Sequence, residues 1–233
     1  MNSDLIESIE EVLKSEMNLI KSYEGNQGVS YKIGINNKNY LIKKANKKNW
    51  IFKFFNQYTL KKEYAIYSRL NGVRGVPSCY GLTQDGDLIL EYIEGLSYRK
   101  KQEQLADDDE FFKSFLDLIL EMHGKGVAHG DLKRKDNIIV SNSNKPYLID
   151  FGTAITINSK SNQIKKSIFS FLKKTDLNAW IKHKYSRQYD RIEEDDFVYY
   201  SSNTMDKLIR LTRKFWRTLT FRRFRKKRGQ KQQ

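Results

Sequence analysis

Apolar positions recur at helical spacing from Phe111 to Met122, entered through Asp107, Asp108 and Asp109 and closed by Gly124 and Gly126, which predicts one amphipathic helix. The period then changes. Ile138-Ile139-Val140 reads as a short strand, Ser141 to Lys145 as a turn and Tyr147 to Ile149 as the returning strand of a hairpin. Upstream, strand signals dominate. Val29 to Ile35 leaves a turn at Gly25-Asn26-Gln27-Gly28, Asn36 to Asn39 makes the next turn, and Tyr40 to Lys43 follows. Glu63, Ile66 and Leu70 mark a helix, Gly75-Val76-Pro77 breaks the chain, and Gln84-Asp85-Gly86 joins strands at Ser78 to Leu82 and Asp87 to Tyr92. Ile6, Ile9, Leu13 and Ile20 predict a leading helix within residues 1–22, either packed on the body or used for association. Strands with one helix over residues 23–93, then mainly helix over 94–205, give an α+β chain in two lobes.

Composition adds limits. A chain of 233 residues with 39% hydrophobic content can bury an ordinary core, and no apolar run is long enough to span a membrane. The start is acidic at Asp4, Glu7, Glu10 and Glu11 and unlike a signal peptide, and the single Cys79 cannot form an internal disulfide. Both fit a reducing cytoplasm. The net charge is +15, of which residues 206–233, with twelve Lys or Arg against one Asp, carry +11. In that basic tail Leu208, Leu211, Phe215, Trp216 and Leu219 recur at helical spacing. An anionic membrane surface suits a basic amphipathic helix with rings, nucleic acid is the less favoured partner, and a helix packed on the body is the plain alternative.

The chemistry concentrates in His129-Gly130-Asp131-Leu132-Lys133-Arg134-Lys135-Asp136-Asn137, followed by Asp150-Phe151-Gly152. Phosphoryl transfer needs one carboxylate to accept a hydroxyl proton and an Asn and a second Asp to hold magnesium against nucleotide phosphates. Each fragment alone has a plain structural explanation: a charged turn, a buried histidine, a strand ending. Order and context give them meaning. Strand alternation puts Leu41 and Lys43 on one face, toward a nucleotide, with Lys44 turned away, and Glu63 stands where an ion pair could align Lys43. Gly25 and Gly28 would cover phosphates, although without the downstream motif an ordinary β-turn is the better reading of them. The backbone carbonyl of Glu91 and amide of Ile93 would meet adenine, in a segment that is otherwise a simple edge strand.

This order of helix, loop, hairpin and metal aspartate resembles the protein kinase-like superfamily over about residues 23–180, most closely its small bacterial lipopolysaccharide core kinases, the heptose and Kdo group. The resemblance implies a bilobal fold, an antiparallel-sheet N-lobe with one helix and a reduced, mainly helical C-lobe. It implies ATP and Mg2+ as cofactors, Asp131 as catalytic base and Lys133 as a helper at the transferred phosphate. Asn137 and Asp150 become the metal ligands, and His129 a support for the Asp-Phe-Gly turn. The acceptor would be a lipopolysaccharide core sugar, with a protein Ser/Thr as the alternative and a tail-anchored pseudokinase as a third reading. The implied location is cytoplasmic, peripheral at the inner face of the plasma membrane.

Departures accompany the likeness. Asn137 lies six positions after Asp131, where the family spacing is five, so Asp136 competes with it for the metal. Gly130 replaces an arginine common in phosphorylation-regulated kinases. No Ala-Pro-Glu follows Asp150, since Pro77 and Pro146 are the only prolines, which implies a truncated peptide-docking half. Asp176-Leu177 opens a helix with Trp180 and Ile181, where Asp176 either braces the loop from below or caps the helix.

Overall fold

A computed structural model describes residues 2–15, 20–25, 28–45 and 50–201. Helix α1 (Asn2–Ser15) precedes strands β1 (Ile20–Gly25), β2 (Gly28–Ile35) and β3 (Lys38–Ala45); helix α2 (Trp50–Arg69) follows, then β4 (Cys79–Leu82) and β5 (Leu88–Glu91). The five strands form one antiparallel sheet in the order β1-β2-β3-β5-β4. β2 and β3 pair without a break from Gly28↔Ala45 to Ile35↔Lys38. Asn36 and Asn37 make this possible: both adopt positive φ, 50° and 61°, which tight hairpin turns require and asparagine tolerates.

The two faces of the sheet bury different partners. Ile33, Tyr40, Ile42 and Ile89 pack with Ile9 of α1, flanked by Leu5, Ile6, Val12 and Leu13. The leading helix therefore packs on the body. It ends at Ser15, and Ile20, read as its last apolar position, instead begins β1. Leu88 and Leu90 face the other way, into the main core with Ile66, Tyr67 and Leu70 of α2. That helix starts at Trp50, well before the Glu63-Ile66-Leu70 pattern by which it was legible.

Beyond Glu91 the chain builds a second, mainly helical lobe. It contains β6 (Gly95–Ser97), α3 (Tyr98–Lys101), α4 (Asp109–Gly124), β7 (Val127–Ala128), the hairpin β8 (Ile138–Ser141) and β9 (Pro146–Leu148), β10 (Ile155–Thr156) and α5 (Gln163–Lys184). Asp108 caps α4, its carboxylate accepting from Phe111 N at 2.8 Å, and Gly126 leaves the helix at φ 72°. Phe111, Phe112 and Phe115 line the buried stripe of α4, and the indole N–H of Trp180 on α5 donates to Phe112 O at 2.8 Å. Asn162 caps α5, so Asp176 sits deep inside that helix rather than opening it. Among the described residues no helix is long and apolar enough to cross a membrane.

Candidate active site

Strand β7 delivers the chain into the loop His129 to Asn137 across the middle of α5. Asp176, fully buried, accepts from His129 N and Gly130 N at 2.8 Å each, and its Oδ2 lies 3.1 Å from His123 Nε2. One helix carboxylate thus satisfies two buried loop amides that have no ladder partner. Gly130 is at φ 76°, and a Cβ there would stand 3.2 Å from the Leu172 side chain. Conformation and space both favour glycine where the likeness suggested arginine.

His129 faces the other way and ties the loop to the Asp-Phe-Gly segment. Its Nε2–H donates to Ile149 O at 3.0 Å, its ring lies 4.9 Å from that of Phe151, and Thr153 Oγ1 donates to His129 O at 3.0 Å. Nδ1 is then the acceptor, facing Asp131 N at 3.4 Å. His129 stands where support of that turn requires it.

Helix α2 touches the same segment at Phe151 and Gly152, and Lys43 of β3 reaches Asp150. Lys43 Nζ lies 2.6 Å from Glu63 Oε1 and 3.6 Å from Asp150 Oδ1. Tyr67 meets Phe151 edge to face at 5.0 Å, and Lys62 donates to Gly152 O at 3.3 Å. Burial works to lower the Lys43 pKa, but the carboxylates of Glu63 and Asp150 more than offset it and raise the net value. The lysine stays charged. Lys44 turns to the opposite face, over the ring of Tyr31, as strand alternation requires.

The extra loop residue is absorbed in a single 3-10 turn, Lys135 to Asn137, closed by Asn137 N donating to Arg134 O at 3.0 Å. Inside it the neighbours separate. Asn137 is buried, its amide N donating to Asp131 O at 3.1 Å, while Ile149 N donates to Asn137 O at 3.0 Å. Asp136 turns outward, where Arg99 of α3 grips both carboxylate oxygens at 2.8 to 3.1 Å and holds its pKa down. Arg99 carries no local signal: it lies 37 positions from its partner.

Asp150 itself adopts φ 65°, ψ 66°, a left-handed conformation that an Asp tolerates at a functional turn. Its Oδ1 is buried with no hydrogen-bond partner. An orphaned carboxylate oxygen beside a charged lysine, with the Asn137 carboxamide oxygen as a second donor, fits magnesium, which binds through one or two protein oxygens plus phosphates. Among the described residues no group of three His, Cys, Asp or Glu could hold a metal by itself.

The connection between lobes is fastened to the sheet. Glu91 N donates to Ser78 O at 2.8 Å, and Tyr92 N donates to Asn39 O at 3.2 Å. Glu94 Oε1 accepts from Lys32 at 2.7 Å and Asn39 at 2.8 Å, bracketing Ile93 between fixed neighbours. Gly25 and Gly28 face each other where β1 meets β2, and the two turn residues between them lie outside the described residues.

Residues 24–176 match the family model described as protein kinase domain. The chain belongs to the protein kinase domain family. The matched part of this kinase domain takes in each of the loop, hairpin and lysine positions above and ends at Asp176. It is 31% identical over 137 residues to the serine/threonine-protein kinase PKH2 of Candida albicans, covering 55% of this chain and 14% of that protein. It is 28% identical over 143 residues to the probable serine/threonine-protein kinase fnkB of Dictyostelium discoideum, covering 57% and 27%. The serine/threonine-protein kinase cds1 of Schizosaccharomyces pombe is 28% identical over 142 residues, covering 58% and 29%. The kinase domain thus spans less than a third of the length of these curated relatives.

Proposed function

We propose that this chain transfers the γ-phosphate of ATP to a Ser or Thr hydroxyl of a protein. The observation that carries the reading is Lys43, held between Glu63 and Asp150 at 2.6 and 3.6 Å, opposite a loop that presents Asp131 and Asn137. A lysine kept charged suits the phosphates, while Asp131, partly exposed, accepts the acceptor proton as the new O–P bond forms and the bond to the ADP oxygen breaks. Asn137 and Asp150 would hold magnesium, which neutralises charge on the transferred group. Lys133, two residues past Asp131, stands by to steady that group. Nothing covalent is asked of the protein; positioning supplies most of the acceleration.

The acceptor assignment rests on the relatives, all named serine/threonine kinases and all from eukaryotes. The lipopolysaccharide-core sugar, the first expectation from the short C-lobe and basic tail, receives no support from them, and neither does a bacterial setting. Residues 206–233 lie outside the described residues, so attachment to an anionic membrane remains a separate proposal from composition alone, open to liposome sedimentation with and without them. The acceptor is tested by incubating the purified chain with labelled ATP, Mg2+ and Ser- and Thr-containing proteins. Label recovered as phosphoserine or phosphothreonine and abolished by chelator is expected; label confined to a sugar acceptor would overturn the assignment.

A further inference from the structure

We propose that Lys62 is a positioning residue for phosphotransfer, which holds the Gly152 carbonyl from helix α2 and so fixes the turn presenting the Asp150 carboxylate, a refinement resting on the phosphotransfer reading above. The contact is direct. Lys62 lies in the second half of α2, and its Nζ donates to Gly152 O at 3.3 Å across 90 positions of sequence.

The turn needs support from outside itself. Asp150 keeps φ 65° and ψ 66°, a costly conformation for a residue with a side chain, which persists where the surroundings over-determine it. Two sides supply that restraint. Toward the loop, Thr153 Oγ1 donates to His129 O at 3.0 Å, and Ile155 and Thr156 pair with Ala128 and Val127. Toward α2, Tyr67 meets the Phe151 ring at 5.0 Å and Lys62 takes the carbonyl of the next residue. Lys62 also adjoins Glu63, the partner of Lys43 at 2.6 Å, so one rigid helix sets the nucleotide lysine and the turn together.

A solvated or stabilising lysine explains the contact poorly. Lys61 beside it is exposed, whereas Lys62 is partly buried and, among the described residues, forms no ion pair. Its partner is the neutral carbonyl of a glycine that is itself only partly buried. Ordering a long side chain and partly desolvating an ammonium both cost free energy, which one 3.3 Å bond to a carbonyl offsets only in part. Alignment of the turn, rather than stability, accounts for a cation in this place.

The test uses the full chain, ATP, Mg2+ and dephosphorylated casein as acceptor, with Lys62→Met and Lys62→Arg beside the wild type. We expect Lys62→Met to lower kcat about tenfold with KM for ATP unchanged at saturating Mg2+. The Mg2+ concentration that half-saturates the thermal shift of the ATP-bound chain should rise about fivefold, while the urea unfolding midpoint stays unchanged or increases. Lys62→Arg keeps a charged donor and should recover most of both losses. A purely structural lysine predicts a lower unfolding midpoint with unaltered Mg2+ dependence. That result, or wild-type kcat in Lys62→Met, would overturn the positioning role while leaving phosphotransfer standing. Absence of Mg2+-dependent transfer in every form, wild type included, would overturn both.

Discussion

The Oδ1 of Asp176 lies 2.8 Å from the backbone nitrogen of Gly130, so a helix carboxylate fixes a loop 46 positions earlier in the chain. Its other oxygen serves His129 N and His123. Truncation to Asp176→Ala strands two buried amides and a histidine, which should cost about 3–5 kcal/mol of unfolding free energy. Asp176→Asn keeps one acceptor and should cost about half as much. Urea unfolding measures both; equal stability of Asp176→Ala and wild type would remove Asp176 as the anchor of the loop.

Lys43 depends on Glu63 for its place. Glu63→Gln keeps a hydrogen-bonding side chain but loses the charge that counters desolvation, and should lower kcat/KM for ATP about tenfold, with Lys43→Met lowering it about a hundredfold or more. Full activity in Lys43→Met together with loss in Lys44→Met would transfer the role to the neighbour.

The extra residue of the loop raises a sharper question. Because Arg99 holds Asp136 outward while Asn137 is buried, Asn137→Ala should reduce phosphotransfer by about two orders of magnitude, and Asp136→Ala by less than about threefold. A Mg2+ titration of both variants is the readout. The reverse ranking would make Asp136 the metal ligand.

His183 makes stability fall in acid. Burial first, with Lys182, Lys135 and Arg187 adding to it, pushes its pKa down to about 4, against the hydrogen bond to Leu132 O. A folded value below the unfolded one near 6.5 means the contribution is complete above about pH 6.5 and drains away as pH falls toward 4. Between pH 7 and 5 the wild type should lose about 2 kcal/mol that His183→Gln does not lose. Parallel pH profiles for the two proteins would show that His183 titrates normally.

How much was legible follows from distance along the chain. The loop, the hairpin after it and the Asp150 turn are local and carry their signals within a few residues, and alternation along β3 was enough to choose Lys43 over Lys44. Contacts outside those motifs left no trace: Arg99 is an ordinary surface arginine until the fold brings it to Asp136. Asp176 was misplaced as a helix start because Asp favours caps, while the true cap, Asn162, opens a helix whose first turns expose Ile164 and Ile168 and so lack an inward stripe. The early turns of α2 went unread because Glu63, Ile66 and Leu70 mark only its second half.

The most direct measurement is transfer of labelled γ-phosphate to a protein Ser or Thr by the wild type, Asp131→Asn and Asp150→Asn, each checked for folding by circular dichroism. Wild-type transfer that requires Mg2+ and falls about a thousandfold in both folded variants is expected. Transfer at the wild-type rate by either variant would contradict the assignment of Asp131 as base and Asp150 as metal ligand.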